Sequence, residues 1–207
     1  RRGVIDIGTN SVKLLIAGLC NGDIFRDSKP VAKPVLAKDY RYGENFSPDP
    51  LGIGDAVYEL LALAKRDGCC DIRIIATSAV READNSVNLI GAFSQEVEIL
   101  SGDDEACLAF DGVMSSSCLA GTPALVLDVS GGSTEFILVI RGVQFHTSLL
   151  LGSVRLMESH PVSDPPTIDE RESVRASIDS SLGDASLSDL CSYLSTLGQD
   201  PVTMVAS

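Results

Sequence analysis

Two short segments of the chain combine a carboxylate with small and hydroxyl-bearing residues in the same order. In each, an apolar strand ends in aspartate, a tight turn follows, and a second strand begins: Asp6-Ile7-Gly8-Thr9-Asn10-Ser11 and Asp128-Val129-Ser130-Gly131-Gly132-Ser133-Thr134. Small residues let backbone N–H groups converge on an anion, and the hydroxyl groups add donors. An aspartate at a strand end can hold Mg²⁺ directly or through water. The pattern therefore predicts phosphate binding together with a hard cation.

The two segments are copies of one pattern. Residues 4–15 align without a gap on residues 126–137, so that Asp6 matches Asp128 and Ser11 matches Ser133. A single loop of this kind is more often a tight hairpin whose polar residues only satisfy the turn. Two copies at the head of similar stretches of chain favour a functional interpretation instead. We expect two similar lobes whose loops face each other across a cleft.

The two loops resemble the phosphate-1 and phosphate-2 hairpins of the actin, Hsp70 and sugar-kinase superfamily. Four ordered segments narrow the resemblance to the exopolyphosphatase and guanosine pentaphosphate phosphohydrolase family, Ppx/GppA: residues 4–13, 76–85, 98–106 and 127–135. Residues 148–156 match that family as well. The resemblance implies an α/β fold of two ribonuclease-H-like (actin-like) lobes, each with a mixed sheet flanked by helices. It also implies removal of a terminal phosphate from inorganic polyphosphate or guanosine pentaphosphate, with Mg²⁺ (or Mn²⁺) as cofactor.

The same resemblance assigns roles to individual residues. The glutamate that the family is thought to use as catalytic base corresponds to Glu105, and the glutamate that closes the second loop corresponds to Glu135. Asp128 matches the magnesium-associated aspartate, with Asp6 and Glu135 as further metal ligands. The implied phosphate ligands lie on the two loops and on two cationic side chains: Gly8, Thr9, Asn10, Ser11, Lys13, Arg81, Gly131, Gly132, Ser133 and Thr134.

The chain also departs from the family pattern. Lys13 stands where the family usually has arginine, which replaces a forked donor with a point charge. Ser130 replaces the first of three glycines, so this position must keep φ below zero or tolerate strain. The stretch 93–98 is shorter than the family pattern. The family continues past the position of Ser207 into a glycine-rich turn, so we expect the second lobe to be truncated.

Hydrophobic periodicity and turn residues predict the elements that must position these loops. The predicted strands are 3–8, 12–20, 72–77, 97–100, 124–129, 135–140, 143–150 and 202–206. The predicted helices are 55–67 with Gly68 as its stop, 79–95, 101–113, 153–182 interrupted by prolines, and 187–197. Asn21-Gly22-Asp23 predicts a hairpin turn, and residues 29–50 predict a loop or irregular edge. A stretch without apolar periodicity, 114–123, predicts the boundary between lobes 1–119 and 120–207.

Composition excludes several classes of protein. The 207 residues carry a net charge of −13, which argues against broad binding to nucleic acid or to an anionic membrane. No apolar stretch reaches the length of a membrane span, and no signal peptide is expected. The six cysteines lack the spacing of a metal site and are expected to be buried free thiols in a reducing cytoplasm. A homodimer is compatible with these features.

Each assignment has a structural alternative. Glu105 could simply favour a helix N-terminus, and Arg81 could form an ion pair on a helix face. His146 and the charged cluster 169–172 are expected to be structural or solvated. Two further functions also stay open: an ATP-dependent kinase of the same superfamily, and a non-catalytic regulator that binds polyphosphate or a guanosine alarmone.

Overall fold

The computed structural model divides the chain into two compact units, Arg1–Ser101 and Gly102–Ser207. We call them the N-terminal and the C-terminal unit. The structure describes residues 1–20, 23–26, 30–34, 53–83, 86–91, 93–115, 122–140, 143–183, 187–196 and 202–206. Within these ranges no helix is both long enough and apolar enough to cross a bilayer.

The N-terminal unit is built on a mixed sheet. Its described strands are β1 (Arg2–Ile7), β2 (Ser11–Cys20), β3 (Asp23–Arg26), β4 (Val31–Pro34), β5 (Asp71–Ala76) and β6 (Val97–Ile99). Their order is β3-β2-β1-β5-β6, and β4 also pairs with β2. The pairs β1–β2, β2–β3 and β2–β4 are antiparallel, whereas β1–β5 and β5–β6 are parallel. The parallel pairs require helical crossovers, which α1 (Ile53–Arg66), α2 (Ser78–Arg81) and α3 (Ser86–Gly91) provide.

Helix α1 supplies one side of the core of this unit. Its apolar residues recur at helical spacing and are buried: Ile53, Ala56, Val57, Leu60, Leu61 and Ala64. They belong to one cluster with the inward-facing residues of β1 and β2, including Ile5, Ile7, Val12 and Leu14. The helix ends as predicted, because Gly68 takes φ of +80° and the Cys69 N–H bonds to the Ala64 carbonyl.

The C-terminal unit has a sheet with the order β10-β7-β8-β9 among its described strands. These are β7 (Ala124–Val129), β8 (Thr134–Ile140), β9 (Val143–Leu149) and β10 (Thr203–Ala206), with helices α4 (Gly102–Met114), α5 (Ser153–Ser159), α6 (Ile168–Gly183) and α7 (Leu187–Thr196). Ala106 and Phe110 of α4 cluster with Val126 and Ile137. Leu190 of α7 clusters with Leu125 and Leu138, which alternate with those residues along the strands. Both faces of this sheet therefore carry a helix.

The sequence repeat is also a repeat of strand pairing. β1 pairs with β2 in antiparallel and with β5 in parallel, and β7 pairs in the same way with β8 and β10. Asp6 lies opposite Lys13, and the aligned Asp128 lies opposite Glu135. The α/β prediction with mixed sheets is confirmed.

Several predicted elements need correction. Residues 79–95 are not one helix, because α2 ends at Arg81 and α3 begins at Ser86. The intervening Asp84-Asn85 is a turn-forming dipeptide, and both residues lie outside the described ranges. Part of the expected irregular edge is regular, since β4 pairs with β2. The predicted turn residues Asn21 and Gly22 lie outside the described ranges, although Cys20 pairs with Asp23 as a hairpin requires.

Along the chain, the two compact units divide between Ser101 and Gly102. Helix α4 therefore belongs to the C-terminal unit, where its apolar residues pack on the sheet that follows it. The lobe boundary between residues 119 and 120 stays a prediction. The cysteine prediction holds in part: Cys20, Cys69, Cys70, Cys107 and Cys191 are free, but all except Cys69 are exposed rather than buried. Cys118 lies outside the described ranges.

Candidate functional site

The first predicted phosphate loop, residues 8–11, is the tight turn between β1 and β2. The Gly8 N–H donates to the Ser11 carbonyl at 3.1 Å and closes the turn. The hydroxyl oxygens of Thr9 and Ser78 lie 3.5 Å apart, which connects the loop to the start of α2. Asn10 and Lys13 are exposed. The loop is therefore a hairpin that presents polar side chains, as predicted.

Arg81 lies at the end of α2 and binds backbone. Its Nη1 donates to the Leu100 carbonyl at 2.9 Å, at the point where β6 ends. This bond connects α2 to the neighbouring parallel strand. The assignment of Arg81 as a phosphate ligand stays a prediction, as do those of Gly8, Thr9, Asn10, Ser11 and Lys13.

The second predicted phosphate loop, residues 130–133, is closed by the equivalent bond. The Ser130 N–H donates to the Ser133 carbonyl at 3.0 Å. The N–H groups of Gly132 and Ser133 converge, as an anion-binding turn requires, and both point to the Ser130 hydroxyl oxygen at 3.3 and 3.2 Å. The serine that replaces the family glycine therefore supplies an internal acceptor at the centre of this turn.

Helix α5 fixes the back of the second loop. The N–H groups of Ser153 and Val154 donate to the carbonyls of Ser130 and Gly131 at 3.0 and 2.9 Å. The contact is so close that a Cβ added at Gly152 would lie 2.3 Å from the Gly131 oxygen. Glycine is therefore required at position 152.

A row of polar residues crosses three strands beside this loop. Asp128 on β7 lies opposite Glu135 on β8, which lies opposite Ser148 on β9. Directly opposite residues place their side chains on the same face of a sheet. The Ser148 hydroxyl donates to Glu135 Oε1 at 2.8 Å.

Glu135 is a carboxylic acid that is only 1% exposed. Burial raises its pKa above the usual range, the charges of Glu105 and Asp128 raise it further, and hydrogen bonds from Ser133 and Ser148 oppose the shift. Its second oxygen, Oε2, is buried and has no hydrogen-bond partner within the described part of the chain. Such a group is stabilised either by a proton or by a nearby cation.

Glu105 lies in the first turn of α4 and is half-buried. Its charge contributes to the raised pKa of Glu135, after burial. The start of α4 is also held to the sheet, because His146 Nε2 on β9 lies 2.9 Å from Asp103 Oδ1. The structural interpretation of His146 agrees with this contact.

The donor chemistry of the row fits a hard cation. The orphaned Glu135 Oε2 and the nearby Asp128 are oxygen ligands of the kind that Mg²⁺ prefers. In the described ranges, no three Asp, Glu, His or Cys side chains are grouped closely enough to hold a metal alone. Mg²⁺ commonly uses one or two carboxylates and completes its shell with water and substrate phosphate, so the residues present suit it.

The C-terminal unit thus brings together many of the predicted residues: Glu105, Asp128, Gly131, Gly132, Ser133, Thr134 and Glu135. Asp6, Lys13 and Arg81 belong to the N-terminal unit, and a shared cleft stays a prediction. Sequence reasoning did not single out Ser148, Gly152 and Arg155. All three lie in the matched segment 148–156, and Ser148 could have been found by continuing the strand alternation from His146.

Comparison with known proteins identifies relatives over most of the chain. The model of the Ppx/GppA phosphatase family matches residues 54–197. Exopolyphosphatase 2 of Mycobacterium tuberculosis is 33% identical over 192 residues, which cover 84% of this chain and 59% of that protein. The guanosine-5'-triphosphate,3'-diphosphate pyrophosphatase of Vibrio cholerae is 31% identical over 165 residues, which cover 75% of this chain and 32% of that protein. The chain thus spans less than two thirds of either relative.

Solved structures agree with the sequence comparison. An exopolyphosphatase from Cytophaga hutchinsonii superposes with a TM-score of 0.82 at 25% identity, over 99% of this chain and 65% of that one. An exopolyphosphatase-like protein superposes with a TM-score of 0.74 at 29% identity, over 89% and 61%. These matches confirm the actin-like fold. The chain belongs to the Ppx/GppA phosphatase family.

Proposed function

We propose that this chain takes part in hydrolysis of a terminal phosphoanhydride bond, with inorganic polyphosphate or guanosine pentaphosphate as substrate. The observation that carries the proposal is the buried Glu135, whose pKa is raised by burial and further by the charges of Glu105 and Asp128, beside a turn with converging N–H groups. Relatives named for both activities support the same reaction class.

Glu105 is the better of the two glutamates for the role of general base. It is half-buried on the first turn of a helix, so water can reach it, whereas Glu135 is enclosed. The water oxygen attacks the terminal phosphorus, and its proton passes to the Glu105 carboxylate. The bond from that phosphorus to the bridging oxygen breaks, which releases inorganic phosphate and a chain shorter by one phosphate. A positioned general base contributes roughly 10²- to 10⁴-fold to the rate.

Glu135 and Asp128 are the residues that would hold Mg²⁺ in this proposal. The ion would neutralise charge on the substrate phosphates, which a chain of net charge −13 must do locally. Ser148 orients the Glu135 carboxyl group through its hydrogen bond to Oε1 and leaves Oε2 available.

The phosphate ligands in this proposal are the N–H and hydroxyl groups of the second loop, Gly131 to Thr134. The first loop, Gly8 to Ser11, and the cations Lys13 and Arg81 are the phosphate ligands proposed in the N-terminal unit. The charge of a phosphate chain is spread over many oxygens, so amides, hydroxyls and cations can each bind some of these oxygens.

The test is phosphate release by the full-length protein from long-chain polyphosphate, guanosine pentaphosphate and ATP. Each substrate is assayed with Mg²⁺, with Mn²⁺ and with excess EDTA. We expect release from polyphosphate or guanosine pentaphosphate with either metal, and little release from ATP. If the protein releases phosphate neither from polyphosphate nor from guanosine pentaphosphate, the proposed function is wrong. Full activity in excess EDTA would show that the reaction does not need a metal.

A matched pair of variants tests the metal ligands. Asp128→Asn should raise the Mg²⁺ concentration needed for half-maximal turnover, because an amide is a weaker ligand than a carboxylate. Asp111→Asn removes an exposed carboxylate from the far end of α4 and should leave that concentration unchanged. Equal metal requirements in the two variants would contradict the assignment of Asp128.

A further inference from the structure

The second phosphate loop is held by its carbonyl groups. The Ser130 and Gly131 carbonyls accept from the backbone of α5, at 3.0 Å from the Ser153 N–H and at 2.9 Å from the Val154 N–H. The Gly132 carbonyl accepts from the side chain of Arg155, whose Nε lies 3.0 Å away. Three successive peptide groups of the loop are therefore fixed from one side.

Fixing these carbonyls also fixes the N–H groups that face the opposite way. A trans peptide group is planar, with its C=O and the next residue's N–H on opposite edges. Holding the carbonyls of residues 130, 131 and 132 therefore orients the N–H groups of residues 131, 132 and 133. Two of those N–H groups do converge in the structure, on the Ser130 hydroxyl oxygen.

The third of these peptide groups differs from the others because a side chain holds it. We propose that Arg155 is a positioning residue for the second phosphate loop: its Nε–H fixes the Gly132 carbonyl and so orients the Ser133 N–H, which donates to the Ser130 hydroxyl in the structure and would turn to phosphate when substrate binds. This inference rests on the proposed function and adds a residue to it. The role of Arg155 is one directed hydrogen bond to backbone, and its positive charge is secondary.

Three substitutions separate the hydrogen bond from the charge. In Arg155→Gln, the amide nitrogen is bonded to Cδ as Nε is in arginine, so a donor stays at nearly the same place without a charge. Arg155→Lys keeps the charge but has no donor at that position. Arg155→Met keeps the approximate shape and removes both. Arg175→Met, at an exposed position on α6, is the matched control.

The experiment measures kcat and KM for phosphate release, the melting temperature and the ¹H–¹⁵N resonance of Ser133 in the full-length protein. We expect kcat/KM to fall about 10- to 100-fold in Arg155→Lys and Arg155→Met, since displacement of a positioning group by about 1 Å can cost 100-fold. The kcat/KM of Arg155→Gln should stay within about threefold of wild type. The Ser133 resonance should move in Arg155→Lys and Arg155→Met and stay in place in Arg155→Gln. All three variants should melt near the temperature of the control.

The outcomes separate this inference from the proposed function. If Arg155→Lys keeps activity while Arg155→Gln loses it, Arg155 acts through its charge and the inference is wrong. If all three variants match wild type, Arg155 has no positioning role. If wild-type protein releases no phosphate from any substrate, the proposed function fails, and the Ser133 resonance alone decides whether Arg155 orients the loop.

Discussion

Two strand pairs with matching sequence, β1–β2 and β7–β8, bury their equivalent positions to different extents. Val4 and Leu15 are each 37% exposed, whereas the aligned Val126 and Ile137 are 0% and 2% exposed. The difference comes from α4, whose apolar residues cluster with Val126 and Ile137. The same local pattern therefore builds a half-exposed surface in one unit and a helix-covered surface in the other.

The charges at equivalent positions follow this difference in burial. Asp6 lies opposite the exposed Lys13, whereas Asp128 lies opposite the buried Glu135. Asp6 is partly buried, and the residue opposite it is a base. Two acids side by side in a desolvated site require a proton or a cation. The repeat thus supplies one scaffold, and in one copy the residue opposite the aspartate is a buried acid.

The two loops differ as well, although the same turn hydrogen bond closes both. The first loop is linked to α2 through the hydroxyl groups of Thr9 and Ser78. The second loop is held through its carbonyls by α5 and Arg155. The carbonyls of the second loop therefore have donors on a later helix, which restrict the loop from one side.

The largest expected effect comes from the helix that distinguishes the two units. Glu105→Gln keeps the size of the side chain but cannot accept a proton from water at neutral pH. We expect kcat for phosphate release to fall roughly 10²- to 10⁴-fold with little change in KM. The pKa of Glu135 should fall as well, because the Glu105 charge raises it.

Steady-state kinetics measures kcat and KM, and a carboxyl titration followed by NMR measures the pKa of Glu135. Asp111→Asn on the same helix is the control and should match wild type. A folded Glu105→Gln protein with near-normal kcat would show that Glu105 only favours the helix N-terminus, and Glu135 would become the candidate base.

The next effect contrasts Gly152, which precedes α5 and packs on the second loop, with Gly8 of the first loop. Gly152→Ala places a Cβ 2.3 Å from the Gly131 oxygen, whereas Gly8→Ala places one 3.3 Å from the Ser11 oxygen. Overpacking against backbone typically costs about 1–3 kcal/mol, so Gly152→Ala should lower the free energy of unfolding by that amount. Gly8→Ala should stay within about 1 kcal/mol of wild type. Urea unfolding measures both, and equal losses would contradict the contrast.

Much of the fold could be predicted because the apolar spacing of each element is regular. α1 has apolar residues at helical spacing and a Gly68 stop, and the paired strands alternate or are continuously apolar. The prediction of one helix over residues 79–95 was wrong, because α2 ends at Arg81 and α3 begins at Ser86, and apolar spacing alone did not reveal this break. The packing of α4 could not be predicted, because a helix does not reveal from its own sequence which of two sheets it will cover.

The candidate site could be predicted to the level of its loops and carboxylates. Asp128 follows from the repeat, Glu135 follows from the family resemblance, and their opposition follows from strand register. The α5 contacts could not be predicted, since they depend on how a later helix packs on the loop. Ser130 was considered only for its backbone conformation, but the structure gives its hydroxyl two N–H donors.

A smaller effect concerns the hydroxyl of Ser130, which is an internal acceptor in the second loop. The aligned residue of the first loop, Gly8, has no side chain that could do the same. In Ser130→Ala the Gly132 and Ser133 N–H groups lose their acceptor and become available to phosphate. One hydrogen bond is worth about 0.5–1.5 kcal/mol, so affinity for inorganic phosphate should rise about two- to tenfold. Calorimetric titration measures it, with Ser159→Ala in α5 as control. Weaker binding in Ser130→Ala would show that the hydroxyl itself contacts phosphate.

The smallest expected effect is a pH dependence of stability, which the buried acid Glu135 of the C-terminal unit should cause. The pKa of Glu135 is raised in the folded state, chiefly by burial and further by Glu105 and Asp128. The folded protein therefore holds this proton more tightly than the unfolded chain. The resulting stabilisation is fully present below the ordinary carboxyl pKa of 4.5 and is lost as pH rises through the raised pKa.

Glu135→Gln stays neutral at every pH, so this loss should disappear in the variant. In excess EDTA, wild-type and Glu135→Gln proteins should melt at similar temperatures near pH 4, and the variant should melt higher than wild type near pH 7 to 8. Glu172→Gln on α6 removes an exposed carboxylate and should follow the wild-type curve. Adding Mg²⁺ should then raise the melting temperature of wild type more than that of Glu135→Gln, because only the carboxylate gains a counter-charge. Parallel pH curves for wild type and Glu135→Gln would show that folding does not raise the pKa of the buried acid, and the contrast between the two strand pairs would not require a cation.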